Sequence, residues 1–519
     1  MARRSGRTHV ELVEDDGLDG SAPPPDENAR STSDGPGSPG HAHPSPRTRR
    51  RVLTIAAALV VGLVAVAVVG EVREAARERA RLAVLATLPR VLAPLDAPPE
   101  VLWTDDTDNL LLGTTVRTAG GLLVGAHAGD DGSSIAHALD PATGEVVWER
   151  ELLAAPATAP QPDAPPQGGF CQAHGADGTL VACFAGDDGS VPDGDGFRYL
   201  APTVTRLLLL DPQDGTVVAD LSDAVAGTGA VPAFLVLDDL AVVSSVVDDV
   251  TQVVAVDRAG AVAWRHTVPV EPTSPARVDL RRAEVVPLGQ HLLVATPDEL
   301  RVLDGTGATV RAVPLGSDEF LEGTSGATVL VSTAGDRAPV DLFSGRVGEG
   351  ETTKVLWDDH VGEVPGRWLR PHVDDGSAHG LLLTVDHENL YGWDPDGELR
   401  WTADRPSSIE SLDVLAGRVH LTVGAALMTL DARTGGELWR RGGLVVEDQV
   451  LTDGRHLLVR PAAPADAPHA ELVALDAADG TIAWRTELPP GPRFLHAASG
   501  LLVSISVGEE DAWGLTVLG

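Results

Sequence analysis

The run Ala138-Leu-Asp-Pro-Ala-Thr-Gly-Glu-Val-Val-Trp148 decides the reading of this chain. An apolar strand ends in Asp, a turn closes on Gly, and a second strand reaches Trp. The turn carboxylate can accept backbone N–H groups two residues on, and Gly takes the positive φ that a tight turn demands. Trp then offers a large apolar face to a neighbouring unit. The unit returns as Val473-Ala-Leu-Asp-Ala-Ala-Asp-Gly-Thr-Ile-Ala-Trp484 and as Met428-Thr-Leu-Asp-Ala-Arg-Thr-Gly-Gly-Glu-Leu-Trp439. With a turn one residue shorter it reads Val254-Ala-Val-Asp-Arg-Ala-Gly-Ala-Val-Ala-Trp264 and Tyr391-Gly-Trp-Asp-Pro-Asp-Gly-Glu-Leu-Arg-Trp401. Copies without Trp run from Asp211 to Ala219, Asp304 to Arg311 and Asp341 to Gly348.

The repeat markers are therefore Asp140, Gly144 and Trp148; Asp211 and Gly215; Asp257, Gly260 and Trp264; Asp304 and Gly307; Asp341 and Gly345; Asp394, Gly397 and Trp401; Asp431, Gly435 and Trp439; and Asp476, Gly480 and Trp484. Most copies are spaced as four-stranded propeller blades are, with further apolar runs such as Gly121-Leu-Leu-Val-Gly-Ala126 upstream. A linear solenoid is the rival arrangement, but radial closure hides the edges of repeated antiparallel sheets. After Trp484 three strand-like runs remain, and Val101-Leu-Trp103 at the front supplies a fourth for a composite blade. That blade would raise the count to nine, so the degenerate copy near Asp341 is treated as a distorted blade or an insertion. The expected fold is all-β, an eight-bladed propeller within a range of seven to nine, over residues 97–519.

The pattern Leu-Asp-x-x-Thr/Asp-Gly-x-x-x-Trp resembles the PQQ-like repeat of quinoprotein alcohol dehydrogenases and of the outer-membrane assembly protein BamB. The resemblance implies a propeller over residues 97–519. It also offers two branches. The enzymes carry a disulfide between adjacent cysteines over the cofactor, a catalytic Asp and calcium ligands, whereas Cys171 and Cys183 here are not adjacent. The resemblance is therefore to the non-enzymatic branch, which uses the scaffold for protein contacts, and it implies neither cofactor nor catalytic residues.

Upstream the composition changes twice. Residues 1–48 carry Pro, Gly, Ser, Asp and His with few aromatics, too little apolar surface to offset chain entropy, and read as a disordered cytoplasmic tail. Val52 to Gly70 is an uncharged run of Val, Ala and Leu that spans most of a hydrocarbon core of about 30 Å, and reads as a transmembrane helix. Arg47, Arg49, Arg50 and Arg51 before it favour a cytoplasmic N-terminus. Arginines also follow it, interleaved with Glu71, Glu74 and Glu78 at helical spacing. A cleaved signal peptide is the alternative, but the hydrophilic stretch ahead of the apolar run is too long for an ordinary n-region. Residues 71–92 read as a helical stalk that Pro89 and Pro94 bring to an end.

The 76 acidic residues against 39 basic ones give a net charge of -37. Such a surface repels phosphate backbones, which excludes nucleic acid as a partner. It serves solvation before any acidic groove. Cys171 and Cys183 flank a turn-like stretch and suit facing positions on a hairpin, where an oxidising compartment would keep a disulfide; a redox site would more often show Cys-x-x-Cys, and two free buried thiols are the third possibility.

Three other stretches carry residue types that could do chemistry. Asp187-Asp-Gly-Ser-Val-Pro-Asp-Gly-Asp195 lacks the ligand spacing of a calcium loop. His360, His372 and His379 come without a zinc motif, and Ser325 in Gly323-Thr-Ser-Gly326 misses the nucleophile elbow. No metal and no cofactor are expected. The function expected is a single-pass membrane protein whose extracytoplasmic propeller docks an envelope protein or a wall-associated ligand. A PQQ-dependent dehydrogenase and an extracytoplasmic sensor are the alternatives.

Overall fold

The computed structural model describes residues 90–519 apart from short internal segments, the longest being 106–115, 156–168, 270–283, 334–351 and 462–469, together with residues 73, 76–82, 85 and 88. The tail, the Val52 to Gly70 run and the markers Asp341 and Gly345 lie outside the described residues. Among those described, no helix is long and apolar enough to cross a membrane.

Nine four-stranded antiparallel blades follow one another. Blades 1 to 8 occupy residues 116–153, 169–220, 230–269, 284–314, 319–365, 367–404, 411–442 and 451–487, and blade 9 joins residues 492–518 to Val101–Asp105. Within a blade the strands are counted outward from the axis. First strands of successive blades touch one another, as in blades 1 to 4, whereas the fourth strands turn much of their surface to solvent.

One apolar core sits in each seam. Val124, Ala138 and Trp148 of blade 1 pack on Val181 and Leu210 of blade 2. The pattern passes round the ring until Val503 and Val517 of blade 9 meet Leu123 and Leu139 of blade 1. Nine blades and nine such cores among the described residues make a closed wheel. Each fully buried Leu or Val contributes about 1.5–3 kcal/mol, so a seam is a cooperative unit in its own right.

The expected count of eight blades is thus corrected to nine. The composite blade is a true ninth: Val101 pairs with Leu518 and Asp105 with Leu515. Blade 5 is also real, but its third and fourth strands are joined by the two residues 358–359 between Trp357 and His360, so it carries no Asp/Gly/Trp unit. The copy at Asp341 falls instead between its second and third strands, Thr328–Thr333 and Thr352–Trp357. It marks no blade turn.

The repeat markers tie blade to blade. Asp140, Asp211, Asp257, Asp304, Asp431 and Asp476 each accept the N–H two residues on, at 2.7–3.0 Å. The indoles of Trp103, Trp148, Trp264, Trp401 and Trp439 then lie over the turn of the next blade, whereas Trp484 donates Nε1–H to Leu95 O of the entry segment at 3.2 Å. Trp103, Trp148, Trp264 and Trp401 donate Nε1–H to the carbonyl just after that turn's Asp, those of Pro141, Pro212, Gly305 and Ala432, at 2.9–3.1 Å. Gly307 is required twice over: its φ is +78°, and a Cβ would stand 2.6 Å from Trp264 Cδ2. Where blade 2 lacks a Trp, Leu221 reaches Gly260 in its place.

The entry segment is built into the wheel. Residues 76–82 are helical, Leu85 is wholly buried in the seam of blades 7 and 8, and Leu92 and Ala93 donate N–H to Thr452 O and Gly500 O at 2.9 and 2.8 Å. Arg81 holds Glu78, Asp375 and the carbonyl of Gly454.

Candidate functional site

First strands that line an axis bring together residues far apart in sequence. Glu284 opens the first strand of blade 4, Glu284–Leu288, Arg370 and His372 follow that of blade 6, Arg367–Trp368, and His496 lies on that of blade 9, Pro492–Ala498. Arg90 belongs to the entry segment. Blades 4, 6 and 9 are not neighbours, yet their charges sense one another. The Glu284 carboxyl is pushed up by crowding and partly restored by Arg370. Burial, then Arg90 and Arg370, hold His372 below the usual imidazole range, and burial with Arg90 does the same to His496. Only the hole of the wheel offers such a meeting place.

The segment between the first two strands of blade 6 is what aims this cluster. Its strand Val373–Asp374 leaves blade 6 and runs parallel to the first strand of blade 7, Ser411–Leu415. His372 N–H donates to Leu412 O at 2.8 Å, Asp375 N–H to Val414 O at 3.1 Å, and Val373 N–H to Asp413 Oδ1 at 3.0 Å. Asp375 in turn accepts Ala416 N–H at 2.8 Å and Arg81 at 3.1 Å. The arrangement fixes His372 and Asp374 at the axis. Asp374 is solvent-exposed yet crowded, and desolvation raises its carboxyl against the N–H of Gly376.

Chemically, two guanidiniums offer forked donors to a carboxylate or phosphate group. Two imidazoles held neutral each present one donor and one acceptor. Glu284 and Asp374, both raised, take up protons more readily than surface carboxylates do. On a chain of net charge -37 this is a place where an acidic group would be received.

A second titratable set is buried inside blade 7. Trp439, Thr429, His420, Asp413 and Val373 stand opposite one another in one row across the sheet. The matching row of blade 3 is Trp264, Ala255, Val242 and Leu235. Burial pushes Asp413 up to about 7 against the N–H of Val373. Burial, helped by Arg418 and opposed by Asp375, lowers His420 to about 3. His420 Nδ1 meets Thr429 Oγ1 at 2.8 Å, while Nε2 and the Trp439 indole N–H have no hydrogen-bond partner.

The residues singled out from sequence scatter. The described repeat markers lie at blade turns and on outer strands, away from the axis. Cys171 and Cys183 face each other on the first two strands of blade 2 and form a disulfide, buried in the seam with blade 1. Asp187 binds the N–H groups of Thr203 and Val204 at 2.6 and 2.8 Å, and the Asp-rich stretch continues into a two-stranded hairpin, Gly189–Asp193 with Gly196–Leu200. Ser325 ends the first strand of blade 5, and His379 is exposed with Nδ1 3.1 Å from Ser377 O. Of the three grouped histidines only His372 joins the axial cluster. Arg90, Glu284, Arg370, Asp374 and His496 were not singled out, because they share no local spacing; only Glu284 stands as the lone charge on an otherwise apolar first strand.

Among the described residues no group of three or more His, Cys, Asp or Glu is placed to hold a metal ion. The residues present do not fit PQQ as the quinoprotein enzymes hold it. The cysteine pair is twelve residues apart and lies in a seam, so it cannot cover a cofactor at the axis.

Residues 344–506 match the family described as outer membrane protein assembly factor BamB. No curated protein matches the chain. Among solved structures, BamB from Moraxella catarrhalis is 14% identical over 81% of this chain and 99% of its own, with a TM-score of 0.39. Quinohemoprotein alcohol dehydrogenase from Comamonas testosteroni is 13% identical over 83% and 78%, with a TM-score of 0.38. A eukaryotic initiation factor is 11% identical over 77% and 90%, with a TM-score of 0.42. The fold is read from the nine blades and their cores, not from these likenesses.

Proposed function

We propose that this chain is a single-pass membrane protein, N-terminus in the cytoplasm, that holds a PQQ-like propeller outside the cell membrane as a non-enzymatic docking scaffold. Its partner is an envelope protein or a wall-associated ligand that places an acidic group at the axis. The observation that carries the reading is that Arg90 acts on both His372 and His496, and Arg370 on both His372 and Glu284, from separate segments of the chain. A rigid closed wheel with a charged centre suits recognition by a preformed surface. The disulfide supports an oxidising compartment, and the Val52 to Gly70 run after Arg49, Arg50 and Arg51 supports the topology. The match to the BamB description over residues 344–506 supports the scaffold class.

A photo-crosslinking residue at position 370 should capture a discrete partner in intact cells, and one at Val147, on an outer strand, should not. The joint change Arg90→Glu and Arg370→Glu should abolish the capture while the wheel keeps its melting temperature. Equal labelling at positions 370 and 147 would remove the axial site from the account. Protease added outside spheroplasts should digest the wheel and spare the tail; the opposite pattern would reverse the topology.

A sensor reading draws support from one contact set. Arg81 ties the helix at 76–82 to Asp375, whose neighbour Asp374 is at the axis. Arg81→Ala should then alter any tail-dependent output without altering partner capture.

A further inference from the structure

The seams of blades 3–4 and 4–5 are built from equivalent positions, and only one of them is filled. In the first, Trp264 packs among Leu237, Val242, Val253 and Ala255 of its own blade and Leu292 and Leu303 of the next. One blade on, the matching residues are Leu288, Leu293, Leu300 and Val302, facing Val329 and Leu356. Strand register places Arg311 opposite Val302 as Trp264 is placed opposite Ala255, so Arg311 occupies the indole position. These residues line a partly open cavity of about 170 Å³. An apolar cavity of roughly 150 Å³ takes up benzene.

The turn that would cap an indole is missing as well. Trp264 donates to Gly305 O within the turn Asp304 to Gly307, whereas blade 5 joins Trp357 to His360 through two residues. The place is shaped for a flat ring but holds no equivalent of the Gly305 acceptor among the described residues.

We infer that the seam between blades 4 and 5 is a binding site for a small apolar aromatic molecule of one or two rings, independent of the axial cluster. The walls are mostly aliphatic side chains, with His291 and Arg311 as the polar members of the lining, and the aliphatic part favours such a ring through buried area and dispersion. Because none of the described residues offers an equivalent of the Gly305 acceptor, an aromatic hydrocarbon binds at least as well as indole itself.

The test uses the full-length chain with fluoronaphthalene and fluoroindole as probes, read by fluorine NMR line broadening and by melting temperature. The wild-type chain should broaden both lines and gain several degrees, fluoronaphthalene at least matching fluoroindole. Arg311→Trp, which restores the missing plug, should melt higher on its own and weaken both probes tenfold or more. Val329→Phe blocks the cavity from the opposite wall and should weaken them likewise, which keeps the test valid if Arg311→Trp fails to fold. Unchanged binding in both variants, or no binding to the wild-type chain at millimolar probe, overturns the inference. So does binding that appears only after Phe343→Ala, which would mean that the chain fills its own seam. Binding of a tryptophan-bearing peptide but of neither free probe also overturns it, because the site would then be a socket for a partner's side chain.

Discussion

In the seam of blades 3 and 4 an indole seals the outer end of the core, and Ala255 beneath it is wholly buried. In the seam of blades 4 and 5 the same place is open, and Val302 and Val313 stay only partly buried. The aliphatic inner part of both seams is alike, so the difference teaches that the wheel is held by its inner strands. Tryptophan adds a local seal that the seams of blades 2–3 and 4–5 forgo, the first with Leu221 in its place. Trp264→Ala should accordingly cost about 3–5 kcal/mol in urea denaturation, since a large buried ring and its bond to Gly305 are lost together. Arg311→Ala should cost less than about 1 kcal/mol. Equal losses would break the comparison.

A covalent tie gives the next largest effect. The disulfide of blade 2 closes a short loop, and Cys171→Ser with Cys183→Ser should cost about 2–3 kcal/mol, again by urea denaturation. Reducing agent should reproduce that loss in the wild-type chain and leave the double variant unmoved. Glycine chemistry follows. Gly307→Ala puts a Cβ both at positive φ and into Trp264, and should cost about 2 kcal/mol or more. Gly326→Ala, beside the open seam, meets only the backbone cost of about 1 kcal/mol, because no atom lies within 4 Å of its Cβ.

The smallest effect belongs to the seam of blades 7 and 8, where Trp439 docks over a polar row. Asp413, raised to about 7, favours the fold fully below the ordinary carboxylate range and loses that contribution as pH rises towards 7. His420, lowered to about 3, favours it fully above the ordinary imidazole range and loses it as pH falls. Between about pH 4 and 6.5 the two slopes oppose and largely cancel. Asp413→Asn should expose a stability that rises with pH across that window, and His420→Gln one that falls, both read from urea midpoints. Parallel slopes in the two variants would dismiss the row as the cause.

Much of the wheel was legible because Asp, Gly and Trp each have a private task at one turn. The marker pattern found seven blade turns and the composite blade. It failed at blade 5, where only two residues separate Trp357 from His360 and leave no room for the Asp-to-Gly unit, and it counted Asp341 in the wrong connection. The axial cluster was hardly legible at all. Its members come from blades 4, 6 and 9 and the entry segment, and nothing local in sequence encodes a meeting across a hole. Asp413 and His420 escaped notice for a related reason: cross-strand register, not spacing along the chain, makes them neighbours.

The pairing of Val101–Asp105 with Trp513–Leu518 works as a latch. The earlier half of that latch is made first and must keep a bare strand edge while almost the entire ring is synthesised, since its partner, Trp513–Leu518, is the third strand of blade 9 and follows the other eight blades in the chain. Contacts so remote along the chain form slowly, and an unsatisfied edge invites pairing with other nascent copies. Production of this protein should therefore depend on how long that edge is shielded, and on a leash kept short by the docking of Leu92 and Ala93 beside the closing blade.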